Sequence, residues 1–282
     1  MRNLLSANFL RLRKSFVFWL GIAYQFVVGL IAVGTRWREM HEMSGYFPHA
    51  DNILFSGALF MPIVAAVFIG LFIGTEYSDG TIRNKIVVGQ SRWAIYLANL
   101  ITCSVALVLM HLAFLLAVVA VGFPLVGNLE KTPQELLLLA ALSLMTVLAL
   151  GALFLLLVML VTKKSIAAVA VLLLGFVLMM SAMVIDSRLN EPEFYTTISS
   201  RFTDEEGNTQ VQEAGQERNP NYLEGTKREV YVFLNDFLPG SQFLQFSKQE
   251  LTSPVRLPLY SLVILLGTTA CGVVCFGRKD LK

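Results

Sequence analysis

Charge is scarce in this chain. Asp, Glu, Lys and Arg supply 15% of its 282 residues, against roughly 25% in soluble domains. Hydrophobic residues make up 55%, and the mean hydropathy is +0.64. A soluble fold of this size could bury a large core, but not several apolar runs of membrane-spanning length. Cysteine is nearly missing as well. Cys103, Cys271 and Cys275 all fall inside apolar runs, which excludes a disulfide-built secreted scaffold and reads as small buried hydrophobes. His41, His49 and His111 make no metal-ligand cluster, since the first two share one loop and the third lies in an apolar run. No GxxxxGK[ST] stretch is present to cradle phosphates. The apolar runs contain no paired acids and no nucleophile beside a base, which disfavours an intramembrane enzyme. No repeat, low-complexity tract or inverted pattern of broken helices stands out.

What is present is a series of six apolar runs near 16–34, 53–74, 94–121, 136–161, 165–185 and 257–276, each long enough to cross a bilayer. The first is preceded by Arg2, Arg11, Arg13 and Lys14. No convincing small-residue cleavage site follows it, so it reads as an uncleaved span. The fold class expected is an all-α membrane protein of six transmembrane helices, forming one domain over 1–282 with a large outer loop at 186–256. Pro62 is expected to kink the second span.

Charge orients the spans. With six crossings, one side holds the N-terminal stretch, the 75–93 loop, the 162–164 turn and the C-terminal tail. That side carries twelve basic residues and three acids (Glu76, Asp79, Asp280), net +9; the remainder has ten basic and seventeen acidic, net −7. Short positive segments stay cytoplasmic, so both termini are expected inside. This topology explains the basic residues without nucleic acid.

The loop "EYSDGTIRNKIVVGQSR" at 76–92 is then cytoplasmic. Asp79-Gly80 reads as a turn. Ile82, Ile86 and Val87 can share one face of a short helix whose Arg83, Asn84 and Lys85 stay wet, with Gly74, Gly80 and Gly89 as joints. A solvated linker obeying the charge rule and a docking element for a cytoplasmic partner are both compatible with this pattern. The stretch "MRNLLSANFLRLRKSFVFW" places Leu5, Phe9, Leu12 and Phe16 at three- and four-residue spacing. That describes an amphipathic helix in the membrane interface, with Arg11, Arg13 and Lys14 near headgroups, or simply the cytoplasmic end of the first span.

The stretch "FIGLFIGTEYSDGTIRNKIVVGQSRWAIYLANL" resembles the second-span exit, loop and third-span entry of ABC-2 type transporter permeases, particularly bacterial drug, sodium or bacteriocin exporters. Gly74, Glu76, Gly80-Thr81, Ile82 and Ser91-Arg92 carry the likeness. "FLNDFLPGSQF" at 233–243 is similar to a Leu-Pro-x-x-Gln segment of such permeases. The resemblance implies a multi-pass protein of the bacterial cell membrane that is not itself an enzyme, and makes the N-terminal amphipathic helix an elbow helix before the first span. It also implies pairing with an identical or homologous second permease half and with two cytoplasmic ABC ATPase subunits, which would hold the ATP and Mg. Glu76, Asp79, Gly80, Thr81, Arg83, Lys85 and Arg92 would form the ATPase-coupling loop. Export is implied by the resemblance alone, and the substrate is unspecified.

Inside the spans the polar groups to note are Gln25, Ser104 and His111. An ionisable group at mid-span is a functional candidate by default, while a neutral imidazole bonded to a neighbouring helix is the structural alternative. Met179, Met180 and Met183 suit either a pliable apolar path or ordinary packing. The small residues of "GALFMPIVAAVFIG" fit close helix contact within or between subunits. Within 186–256 the first part is polar and acidic, and Asp204, Glu205 and Glu206 read as a solvated face. "VYVFLNDFLPGSQFLQF" is apolar and aromatic, and is expected to pack on the membrane surface or dip into it. A reading of different class stands beside the permease: a six-span anchoring or sensory protein whose outer loop binds a ligand or partner.

Overall fold

The structure, a computed structural model, describes residues 1–42, 49–127, 129–196, 200–203, 209–212 and 216–279. Asp204, Glu205, Glu206, Asp280 and Lys282 lie outside the described residues. Among the described residues six helical stretches are long and apolar enough to cross a membrane: Phe16–Glu42, Asp51–Ser78, Arg92–Val126, Pro133–Leu160, Lys164–Leu189 and Arg256–Arg278. They match the six expected spans, each extended by up to about two turns.

Helix α1 (Arg2–Lys14) buries Leu4, Asn8 and Leu12, one residue per turn, against α6. The ridge differs from the expected one: Phe9 and Phe16 are exposed, because the protein takes one face of the helix and leaves the adjoining apolar face outward. Ser15 is extended and separates α1 from α2 (Phe16–Glu42). The last turns of α2 are polar yet helical, held by the Arg36–Glu39 and Arg38–Glu42 pairs at 2.7 and 2.6 Å. Those i,i+3 and i,i+4 contacts carry the helix past the apolar run at residue 34.

The second span is built from α3 (Asp51–Leu54), a 3₁₀ segment at Ser56–Phe60, and α4 (Met61–Ser78). Pro62 interrupts no α-helix. The proline occupies the first turn of α4, where its missing N–H would have had no helical partner anyway. Helix α4 is central, burying twelve of its eighteen residues. Its close contact with the fifth span is within the chain: a Cβ on Gly70 would lie 3.0 Å from Cα of Ala168.

After α5 (Thr81–Val87) comes α6 (Arg92–Ala117), then a π-turn at Val118–Gly122 and α7 (Phe123–Val126). Pro124 accounts for the π-turn, since it cannot donate to the carbonyl one turn back and the ladder widens there. Helix α8 (Pro133–Leu160) opens on a reciprocal Thr132–Glu135 capping box with proline in the first turn. A three-residue joint leads to α9 (Lys164–Leu189).

The 186–256 segment departs from an all-α fold. Strand β1 (Phe194–Thr196) pairs antiparallel with β4 (Gln216–Arg218), and β2 (Ser200–Thr203) with β3 (Thr209–Gln212), a nested two-level hairpin. Its turn-rich polar sequence has no helical periodicity, so local pairing meets its backbone hydrogen-bonding needs. Then follow α10 (Gly225–Phe237), α11 (Pro239–Lys248) and α12 (Arg256–Arg278). Helix α11 dips into the bundle. Pro239 through Phe246 are all buried, packed on α8, α9 and the 3₁₀ segment.

Polar side chains make that burial tolerable. Gln242 Oε1 accepts from Thr146 of α8 and Ser261 of α12, each at 2.7 Å, while its Nε2 donates to the Asp236 carbonyl at 2.7 Å. Gln242 is the glutamine of the Leu-Pro-x-x-Gln segment. Neighbouring Gly240 approaches α9 so closely that a Cβ would overlap the Leu178 carbonyl. Gly240→Ala is therefore expected to destabilise the protein by about 1–3 kcal/mol through overpacking, seen as a lower thermal midpoint in detergent. Gly277→Ala, which meets open space, should leave the midpoint unchanged.

Candidate functional site

One end of the bundle gathers α1, the 76–92 segment, the α8–α9 joint and the end of α12, the four segments that topology assigns to a common side. At its centre lies Glu76, on the last turn of α4, its side chain wholly buried. Arg11 Nη1 of α1 and Lys85 Nζ of α5 both reach its Oε1 at 2.5 Å. Asn99 Nδ2 of α6 donates to Oε2 at 2.7 Å. Asn99 Oδ1 in turn accepts from Asn8 Nδ2 at 2.7 Å, and Lys85 also donates to Asn8 Oδ1 at 2.9 Å. The Arg11 guanidinium lies over the Phe72 ring, 4.0 Å from its centroid. Four helices thus meet on one carboxylate. Burial lowers the pKa of Lys85, and the Glu76 charge beside it opposes that shift.

The local sequence builds this meeting point. Gly80 takes a left-handed φ of 67° to turn the chain out of α4 and into α5, a conformation that suits glycine. At the other end Gly89, at φ 86°, closes α5. Its N–H reaches the Ile86 carbonyl at 2.9 Å, and Gln90 N–H reaches that of Lys85 at 3.0 Å. Between these joints α5 sets Ile82 and Ile86 toward the bundle. Val87 points away, contrary to the shared face expected for it. Val87 and Val88 are 79% and 76% exposed, making an apolar tip beside exposed Arg83 and Asn84. A groove of about 310 Å³ runs behind α5, lined by Tyr77, Ile82, Arg83 and Thr162.

The other residues of the loop divide. Asp79 is exposed and accepts from Ser78 Oγ at 3.0 Å, and Thr81 begins α5. Arg92 turns instead to the end of α12, where Nη1 donates to the carbonyls of Phe276, Gly277 and Lys279. A cation there answers unsatisfied carbonyls and the negative end of the helix dipole. Lys279 makes the reciprocal contact, donating to the Met159 carbonyl at the end of α8 at 2.8 Å and to Tyr77 Oη at 3.2 Å. Desolvation lowers its pKa to about 8.

Of the interfacial basic residues, Arg13 and Lys14 are exposed while Arg11 belongs to the Glu76 cluster. His111 and Gln25 do not form one site. His111 Nε2 lies 3.0 Å from Ser143 Oγ on α8, and that hydroxyl donates to the Ala140 carbonyl at 2.9 Å. The imidazole is thus a partnered core group on the bundle's interior. Gln25 Nε2 reaches Met61 Sδ at 2.9 Å. Met179 is buried, whereas Met180 and Met183 are exposed on the outside of the bundle. Among the described residues no three His, Cys, Asp or Glu side chains come together as a metal site.

Asn8 and Asn99 are the site residues that sequence reasoning missed. Asn99 offered a signal: a carboxamide in the run "YLANLI" cannot be left unpaired in an apolar span. Asn8 gave less, because α1 is polar on much of its surface.

The fold and this end cluster define a multi-pass membrane domain whose spanning helices are tied to a short helix projecting from the bundle. The model of the ABC-2 family transporter proteins matches residues 4–181. The chain belongs to that family, and it is an ABC transporter permease. The matched region contains α1 from residue 4, the 76–92 segment and the first five spans up to residue 181; α11 and α12 lie beyond it. No curated protein matches the chain.

Removing the Glu76 charge strands two cations. Glu76→Ala should cost about 3 kcal/mol, near the low end for a broken buried pair because Arg11 keeps some water. A fall in the thermal midpoint of the purified protein checks this. Glu76→Gln, which retains an acceptor for Asn99, should lose less.

Proposed function

We propose that this permease couples ATP hydrolysis by two separate cytoplasmic ABC ATPase subunits to export of a substrate, working as a pair with an identical or homologous half. The chain itself is not the ATPase, and ATP with Mg sits on the partner subunits. The excess of basic residues on the α1, α5 and α12-terminal side supports a cytoplasmic orientation for that side. The bacterial cell membrane is the location that goes with this reading.

The observation that carries the proposal is the α5 tip. It is a short helix with two exposed valines and an arginine, clamped at both ends by glycine turns, with its inner side pinned to Glu76 through Lys85. An apolar tip rimmed by polar groups suits a protein contact. A push on α5 is delivered through the Glu76 carboxylate to α1, α4 and α6 together. In this account Arg83, Val87 and Val88 touch the ATPase, Gly80, Thr81 and Asp79 shape the approach, and Glu76, Lys85 and Arg92 hold the device to the bundle. Lys85 is a transmitting residue, not a docking one, since its ammonium is spent on Glu76 and Asn8.

Val87→Asp combined with Arg83→Glu should reduce co-purification of the ABC ATPase by about tenfold or more, as expected for loss of a central interface contact. The altered permease should keep its expression and thermal midpoint. An unchanged yield of ATPase would contradict the α5 contact, and repeated recovery of the intact protein with no ATPase would contradict the coupled transporter itself.

A further inference from the structure

At the end of the bundle opposite the Glu76 cluster, a cleft of about 440 Å³ separates α10 from the first turn of α12. Arg228, Glu229, Phe233 and Asp236 line it from one face of α10, and Arg256 and Tyr260 close it from α12. Asp236 borders its inner end with 1% of its surface exposed. Neither of its carboxylate oxygens has a hydrogen-bond partner of good geometry, and among the described residues it forms no ion pair. Burial raises the Asp236 pKa, with the Arg256 charge and the Gln245 side chain only partly opposing. A desolvated carboxylate without donors is costly. Such a group is suited to receive a cation.

The surroundings narrow the choice. No set of three metal-type side chains converges here or elsewhere among the described residues, so the cation that fits is an ammonium. Arg228 and the acids Glu229 and Asp236 lie on the α10 wall and Arg256 stands on the α12 wall, so both signs of charge line the cleft, which matches a ligand carrying both a few atoms apart. Aromatic walls add a face for the cation: Phe233 stacks on Phe237 at 5.3 Å, and Tyr260 stands edge-on to both at 5.7 Å. Next in the chain to Arg256 and Tyr260, Val255 and Leu259 are 74% and 56% exposed, at the very start of the sixth span. An apolar tail attached to the ligand would lie on them.

We propose that this cleft binds the headgroup of a zwitterionic aminophospholipid. The ammonium pairs with Asp236, the phosphate with Arg256 and Arg228, and the acyl chains run along Phe233 and Leu259. The site is independent of the ATPase reading, since it lies at the other end of the molecule and its test involves no ATPase.

The test is native mass spectrometry of the full chain released from nanodiscs containing equal amounts of phosphatidylethanolamine and phosphatidylglycerol. The wild type should retain phosphatidylethanolamine in preference, and Asp236→Asn should lose that preference by about tenfold, as for one charge-assisted contact. Lys248→Gln, which alters a separate surface pair with Asp186, should keep it. Equal retention by the Asp236→Asn variant, or no preference in the wild type, overturns the proposal. Should Asp236→Asn fail to fold, the wild type alone suffices. Phosphatidylethanolamine nanodiscs should protect Asp236 from a hydrophobic carbodiimide, read by peptide mass spectrometry, and equal labelling in phosphatidylglycerol nanodiscs overturns the assignment. Protection by soluble glycerophosphoethanolamine as strong as that by the lipid would overturn the lipid as the source in favour of a free zwitterion.

Discussion

A carboxylate at the end of an apolar helix cannot be buried alone, and the organisation of the α1 end of this molecule follows from how Glu76 avoids it. Its two oxygens take a guanidinium, an ammonium and a carboxamide from three other helices. Each donor has its own reason to be drawn in. Arg11 trades headgroup water for the carboxylate and the Phe72 face, Lys85 gives up hydration at a cost visible in its lowered pKa, and Asn99 escapes an otherwise unpaired place in an apolar span. Buried ion pairs add little net stability but penalise any arrangement that separates them. That is the property the proposed coupling requires of its joint. It tolerates motion of the group as a unit and resists motion of its parts.

The opposite end solves a related problem differently. Helix α11 carries Gln242 and Gln245 into the bundle, and uncharged groups satisfy both. One carboxamide, Gln242, links α8, α12 and the end of α10, while Gln245 donates to the Asn235 carbonyl at 2.8 Å and accepts from Thr252 N–H at 3.0 Å. Neutral donors and acceptors avoid the desolvation cost of burying charge. Asp236 is the exception, an ionisable group buried without a donor beside an open cleft.

How much of this was legible in the sequence depended on the range of the interaction. The spans announced themselves because hydropathy over about 20 residues is a local property, and the Asp79-Gly80 turn because glycine writes its own backbone geometry. The aromatic run of α11 reads as a segment on or in the membrane surface, and its burial inside the bundle is set by partners on α8, α9 and the 3₁₀ segment that lie far away in the chain. Other features were set by contacts across the chain. Arg11 looked like a headgroup anchor and Lys85 like a docking charge, because the carboxylate they share with Asn99 is 65 and 9 residues from them, respectively. Val87 was placed inward on helical spacing, and the glycine-closed end of α5 turned it outward. Pro62 looked like a kink because its place at a helix start is fixed by the 3₁₀ segment before it. The nested hairpin at 194–218 was illegible for another reason: its strands are three or four residues long and mostly polar.

The most direct test of the central claim is hydrogen–deuterium exchange on wild type and Glu76→Gln in nanodiscs. If one carboxylate joins α1, α4, α5 and α6, amides of residues 4–12 and 82–88 should lose protection together, while those of α8 stay unchanged. Loosening of α5 with α1 still fully protected, or no change in either, would contradict the account.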